Sequence, residues 1–216
     1  MLFDVTRAGL TALFGADRLV TPPATAFPPS AADTEGARLL QTVGAPVGTL
    51  TLREPDAVSG RLPLVRDVVH VTDFENLGEA RQEAATWPVI GWLLTAHLAL
   101  DPRTGAVYAF DAEEEAATRL HVDTSSLIHV TTQLQRVLHE FTFTGFTFTG
   151  LPGDEDAEEA DFERLAEELD RIRRTTSRTD PLPFTDDETP WSVIADEIAT
   201  GQRFPADTPG AHALYG

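Results

Sequence analysis

The chain has 216 residues and a formal net charge of −19, and all 16 of its cationic side chains are arginine. It contains neither cysteine nor lysine. These absences exclude disulfides, thiolate metal sites, lysine-dependent phosphate loops and Schiff-base chemistry. The negative charge argues against nucleic acid or an anionic membrane as partner, because both are polyanions. It is compatible with a basic protein partner.

The sequence also bears on location. The N-terminal residues lack a basic stretch ahead of an apolar run, and Asp4 comes early, so a signal peptide is not predicted. The longest uncharged stretch, residues 84–100, contains Pro88 and Gly91 and is shorter than the roughly 20 apolar residues of a membrane span. We therefore predict buried strands there, no membrane association and a cytoplasmic location.

The first elements in chain order are helical. Residues 5–14 place apolar side chains on one helical face, and Gly15 supplies a stop. After a proline-rich loop, residues 35–43 predict a second short helix. From Gly48 the apolar period changes to two, and the valine-dense residues 64–73 predict a strand.

The central region predicts further antiparallel strands. The sequence Asp-Pro-Arg-Thr-Gly at residues 101–105 is typical of a hairpin turn, because Asp accepts backbone hydrogen bonds, Pro fixes φ and Gly adopts a positive φ. An acidic loop at residues 111–115 precedes the last strand. The predicted strands lie at residues 87–90, 96–101, 106–111 and around 120–122.

The C-terminal half predicts helices and one extended segment. Residues 123–141 predict a long helix capped at its start, and residues 141–150 repeat the unit FTFTG twice, which suits an extended arm. Residues 152–188 carry 14 acids and five arginines, net −9. Within that acidic segment a helix is predicted at 160–174, followed by a linker. Thr189 opens a final helix, and the last residues read as a tail.

Together these elements predict an α+β fold. We expect a twisted, mostly antiparallel sheet of about five to six strands with flanking helices, plus a C-terminal helical extension. The predicted organisation is a domain at 1–141, an arm, acidic helix and linker at 142–188, and a C-terminal helix and tail at 189–216.

The search for chemistry favours no catalytic site. The six histidines form no metal-binding spacing, no serine lies in a nucleophile elbow, and the glycines are scattered at turns. The acidic runs 154–156 and 186–188 could hold a hard cation only weakly and read as solvated. We predict no catalytic residue, no metal site and no cofactor. Trp92 reads either as core or as an interface anchor, since Trp is enriched in binding hot spots.

Several short segments occur in a familiar order. They are residues 13–20 (LFGADRLV), 37–46 (ARLLQTVGAP), 89–91 (VIG), 97–101 (HLALD), 105–108 (GAVY) and 123–127 (DTSSL). This ordered set resembles the SUKH superfamily, and most closely the fourth bacterial subgroup of SUKH-type immunity proteins. The resemblance covers roughly residues 8–141, with the Trp191 helix as a further shared candidate. Where relatives often show a polar loop after Ile-Gly, this chain has Trp92-Leu93-Leu94-Thr95.

The resemblance implies an α+β domain that binds and neutralises a cognate toxin without catalysis. Toxins paired with such proteins are typically nucleases or nucleic-acid deaminases of bacterial polymorphic toxin systems. An acidic protein can occupy the cationic cleft of such an enzyme, and complementary fields speed association. The most compact acidic cluster is Asp111, Glu113, Glu114 and Glu115. We predict that these acids and Trp92 contact a basic toxin, the alternative for the acids being a solvated loop.

Two other functions remain open at the level of sequence. One is an intracellular adaptor or regulatory protein-interaction domain with no toxin partner, since SUKH-like domains also occur in such roles. The other is a carboxylate-dependent hydrolase without a recognisable motif. A stable endogenous partner of another kind favours the first, and turnover that is abolished by changing one Asp or Glu favours the second.

Overall fold

The computed structural model describes residues 1–145 and 155–215, and these have an α+β fold. The chain divides into two compact units, Met1–Thr132 and Gln133–Gly216. The second FTFTG copy, at residues 146–150, and Asp154 of the first acidic run lie outside the described residues.

The first unit contains short helices, a two-stranded sheet and a five-stranded sheet. The small sheet pairs β1 with β2, and the large sheet has the order β3-β4-β5-β6-β7 with all neighbours antiparallel. The α+β prediction is therefore confirmed. The elements are α1 (Arg7–Phe14), β1 (Leu19–Val20), α2 (Glu35–Thr42), β2 (Ala45–Pro46), β3 (Thr51–Leu52), α3 (Val65–Val68), α4 (Arg81–Ala84), β4 (Val89–Leu93), β5 (Ala96–Leu100), β6 (Val107–Asp111) and β7 (Ala116–His121).

The predicted strand at residues 64–73 is wrong. Residues Val65–Val68 form α3, and a 3-10 turn follows at Val71–Asp73. The carboxylate of Asp67 accepts a hydrogen bond of 2.8 Å from the backbone of Leu64, which caps this helical turn. Val65 and Val69, four residues apart, then face the same buried cluster. Local capping and helical spacing thus override the strand preference of valine.

One face of the large sheet is covered by residues that precede β4. The buried cluster on this face contains Phe74, Trp87 and Phe110. The rings of Phe74 and Phe110 meet edge to face, with their centroids 5.4 Å apart. Trp87, 3% exposed, lies 4.8 Å from the ring of Tyr108. This packing covers one face of the sheet, and the side chains of Leu98 and Leu100 on β5 are also fully buried.

The hairpin predicted at residues 101–105 is confirmed. The carboxylate of Asp101 accepts from the backbone of Arg103 at 2.8 Å and from the hydroxyl of Thr104 at 2.6 Å. Gly105 closes the turn with φ of 79°. Because this turn joins β5 to β6, the β4–β5 and β6–β7 turns lie together at the opposite end of the sheet.

Helix α5 (Thr124–Glu140) begins where the sequence predicts. Its first turn is capped by Asp123, whose carboxylate accepts from the backbone of Ser126 at 3.0 Å and the hydroxyl of Ser125 at 2.6 Å. The Ser126 hydroxyl shares a hydrogen bond of 2.9 Å with Nδ1 of His121, which is wholly buried. Burial lowers the pKa of His121 to about 3, so this imidazole is neutral near pH 7.

The second unit contains the end of α5 and helices α6 (Glu155–Ser177), α7 (Pro190–Ala199) and α8 (Pro209–Tyr215). Buried Asp161 accepts hydrogen bonds from the backbones of Thr144 and Gly145 and from Arg164. Burial opposes ionisation of Asp161, but these hydrogen bonds outweigh it and lower its pKa. Asp161 thereby fixes the first FTFTG copy on α6.

Two segments differ from the predicted linker and tail. Helix α6 continues to Ser177, and a 3-10 turn at Leu182–Phe184 follows. Thr189 ties this region to α7, because its hydroxyl donates to the carbonyl of Pro183 at 2.8 Å and accepts from the backbone of Ser192. The last residues form α8. Tertiary hydrogen bonds and burial, which composition does not reveal, order both segments.

Candidate interaction site at the turn end of the sheet

The predicted contact residues lie at the same end of the five-stranded sheet. The β4–β5 turn consists of Leu94 and Thr95, and the β6–β7 turn spans residues 112–115. The hydroxyl of Thr95 donates to Oδ2 of Asp111 at 2.9 Å and so connects the two turns. Trp92 lies two strands away from Asp111, about 10 Å at ordinary strand spacing. The fold therefore brings the acidic turn and the tryptophan to the same end of the sheet.

Asp111 stabilises the acidic turn, and its carboxylate is less available to a partner than those of the three glutamates that follow. Its Oδ1 accepts from the backbones of Glu113 and Glu114 at 2.9 and 3.2 Å, in addition to the bond from Thr95. Burial opposes ionisation, but hydrogen bonds from Glu114, Thr95 and Glu113 outweigh it and hold the pKa of Asp111 below its usual range. The carboxylate is charged at neutral pH and is committed to closing the turn.

The three glutamates of the turn have the opposite character. Glu113, Glu114 and Glu115 are all exposed, and within the described ranges none makes an ion pair. Three like charges on consecutive residues repel one another, and local packing gains nothing from them. Their carboxylates are available to a cationic partner.

Trp92 is half-buried in the sheet, between Thr51 on β3 and His97 on β5. The Arg53 guanidinium lies over its ring, 5.4 Å from the centroid. Burial first, and the charge of Arg53 second, lower the pKa of His97. Trp92 thus presents part of an aromatic surface beside a fixed cation, whereas Trp87 belongs wholly to the core.

The structure adds a second acidic segment that sequence reasoning missed. The side-chain amide of Asn76 pairs with the backbone of Ala117, donating to its carbonyl at 2.7 Å and accepting from its N–H at 3.2 Å. This pairing fixes the segment carrying exposed Glu75 and Glu79 against the edge strand β7, next to the acidic turn. The two segments are 41 residues apart, and no pattern in the sequence links them.

Sequence reasoning also missed Leu94. It occupies the first position of a two-residue turn with φ of 53°, and its side chain is 37% exposed. Glycine is the residue that this position favours, and an L-residue in the left-handed region costs about 1 kcal/mol. Leu94 and Glu115 are the only non-glycine residues with positive φ among those described, and they occupy adjacent turns. The sequence contains one signal of this strained turn: residues 92–97 include no glycine, although a two-residue turn between strands favours one.

Other features of the structure give weaker support for a functional site. No group of three or more His, Cys, Asp or Glu within residues 1–145 and 155–215 is placed to hold a metal ion. A groove of about 810 Å³ between the end of α5 and α6 is lined by four arginines and four acids. Because Arg136 and Arg171 already pair with Glu168, its charges are largely matched internally. In the same part of the chain, no helix is both long and apolar enough to cross a membrane.

Replacing Asp111 with alanine tests whether this residue is structural. We expect the variant to lose about 1–2 kcal/mol of unfolding free energy, because three donors lose their acceptor. Hydrogen exchange should quicken at the amides of Glu113 and Glu114, whereas Asp101→Ala should quicken exchange only at the opposite end. Unchanged exchange at the 112–115 turn would contradict the role assigned to Asp111.

Comparison with known protein families identifies the family to which this chain belongs. The sequence matches the profile of the SUKH-4 immunity protein family over residues 5–197 of 216. The chain therefore belongs to that family, as the resemblance of its segments implied, and membership implies a toxin-neutralising role. Neither the curated proteins nor the solved structures that were compared yielded a match. The matched region extends well past residue 141 and includes the acidic helix α6 and most of helix α7.

Proposed function

We propose that this protein neutralises a basic toxin that acts on nucleic acid, a nuclease or a deaminase, by binding it without catalysing a reaction. One observation carries the proposal: Glu113, Glu114 and Glu115 form an exposed acidic turn, without ion pairs among the described residues, at one end of the sheet in a member of an immunity-protein family. An enzyme that binds nucleic acid presents a cationic cleft, and a fixed row of carboxylates matches the charge of its phosphate ligand.

The charge must act at short range. At physiological ionic strength the Debye length is about 8 Å, so only acids near the contact guide association. The turn residues fulfil this condition if the turn end of the sheet faces the toxin. Trp92 supplies aromatic area beside them, in the manner of an interface whose central anchor is surrounded by polar residues. The proposed contacts are therefore the three glutamates and Trp92, with Asp111 as the residue that shapes the turn.

Co-expression with the toxin encoded by the neighbouring gene tests the function. We expect cells that carry both genes to survive, the purified proteins to form a complex, and the toxin's activity on nucleic acid to be inhibited. A catalytically inactive toxin should bind equally well, because neutralisation needs no turnover. Cell death at the same rate with and without this protein, together with no complex, would overturn the proposal and favour an adaptor role.

The location of binding is tested by competition. If the acidic turn occupies the nucleic-acid cleft, an oligonucleotide substrate of the inactive toxin should displace this protein. A complex that binds the oligonucleotide without loss of the immunity protein would show that neutralisation acts away from the cleft. Binding would then stand, but the charge-matching mechanism would not.

A further inference from the structure

The turn end of the sheet carries a feature that toxin neutralisation does not by itself require. Leu94 combines an exposed apolar side chain with a left-handed backbone conformation at a position that favours glycine. Neither burial nor conformational preference accounts for leucine there. Strained residues that persist without a structural benefit cluster at binding sites.

We propose that Leu94 is the apolar anchor of the toxin-binding surface, inserting into an apolar recess that is bordered by cationic residues on the toxin. This inference rests on the proposed function and names the chemistry of the partner's contact. The side chain projects from a turn of only two residues between β4 and β5, so its position is set by the sheet. A rigid anchor loses little conformational freedom on binding.

The surroundings of Leu94 define the occupant. The adjacent Thr95 is hydrogen-bonded to Asp111, which places the acidic turn beside Leu94. The turn that carries exposed Glu113, Glu114 and Glu115 therefore lies next to the turn that carries Leu94. A partner that covers Leu94 must present positive charge next to the recess that receives it. A basic protein fits this requirement, whereas an acidic protein would bring like charges together.

Trp92 lies on β4, two residues before the turn residue Leu94, and is half-buried under the Arg53 guanidinium. The turn end of the sheet thus holds an exposed aliphatic residue, a half-buried tryptophan on the strand before it and exposed carboxylates on the next turn. Interfaces are commonly organised in this way, with energetic anchors at the centre and charged residues outside.

The test uses substitutions for which stability and affinity should change in opposite directions. Leu94→Gly removes the side chain. It also removes the free-energy cost of the positive φ, because glycine adopts that conformation without a steric clash. We expect its melting temperature to rise by about 2–4 °C, while its Kd for the purified toxin of the neighbouring gene weakens at least about tenfold. Leu94→Ala should weaken binding similarly without the rise in melting temperature, because alanine keeps the strained backbone.

A matched control comes from the loop that contains Val58, an apolar side chain that is 96% exposed. Val58→Ala should leave both the Kd and the melting temperature unchanged. Leu94→Gly with unaltered affinity would overturn the inference, and so would Leu94→Gly with lower stability, since leucine would then be needed for folding. If the wild-type protein binds no toxin, the proposed function fails and this inference with it. If the wild type binds and Leu94→Gly binds equally well, only the inference fails.

Discussion

Replacing Glu113, Glu114 and Glu115 together with glutamine should slow association with the toxin by about 10- to 100-fold at low ionic strength. The three carboxylates are exposed and unpaired in the described structure, so their removal breaks no internal ion pair. The dissociation rate should change less, because rim charges act mainly on encounter. Stopped-flow association measured from 20 to 500 mM salt would show the two proteins converging as screening increases.

A second triple substitution separates local from overall charge. Glu155, Glu159 and Glu163 are exposed, recur every four residues along α6 and carry the same total charge. Changing them to glutamine alters the net charge equally and leaves the acidic turn intact. If the turn guides the toxin, association at physiological salt should stay within about twofold of the wild type, because charges away from the contact are screened there. Equal slowing by both triples would show that net charge, and not the turn, guides the toxin.

The unfolding free energy should fall as the pH is lowered from 6.5. His121 is wholly buried and its pKa is about 3, whereas an unfolded histidine titrates near 6.5. Between these values the unfolded state binds more protons, so stability declines by up to about 1.4 kcal/mol per pH unit. The lowered pKa of His97 acts in the same direction. Urea unfolding at pH 7.5, 6.5, 5.5 and 4.5 measures the slope.

His121→Asn identifies the group responsible. Asparagine keeps a polar atom near Ser126 and does not titrate, so the slope between pH 6.5 and 4.5 should flatten even though the variant is less stable at pH 7.5. His70→Asn, a change at an exposed histidine, should retain the wild-type slope. The carboxylates with lowered pKa, including Asp111 and Asp161, lose their contribution only below about pH 4. An unaltered slope in His121→Asn would assign the pH dependence to other groups.

Much of the fold could be predicted because local chemistry agrees with the final structure. The sequence at 101–105 contains every group that closes its turn, and Asp123 followed by serines is sufficient to start α5. Residues 64–73 show the limit of this approach. Valine prefers strands, but a single carboxylate at Asp67 and the packing of Val65 and Val69 under the sheet favour a helical turn.

The candidate site, too, can be predicted from the sequence in part only. The consecutive charges at 113–115 are visible in the sequence, and so is the tryptophan at position 92. Their proximity depends on strand order and register, and the bond between Thr95 and Asp111 exists only because two turns meet at one end of the sheet. The sequence shows neither that Asp111 is occupied by backbone donors nor that Leu94 is exposed.

Composition and local patterning alone determined that the protein is acidic, lacks lysine and cysteine chemistry, and folds from antiparallel strands between helices. They also carried the family resemblance, because turn and capping residues recur in a fixed order. Tertiary structure decided which charges are free, which are consumed by turns, and that Asn76 brings a second acidic segment to β7. The reason is physical: hydrogen bonds and burial between residues far apart in the chain depend on the arrangement of the whole sheet, and no local pattern encodes them.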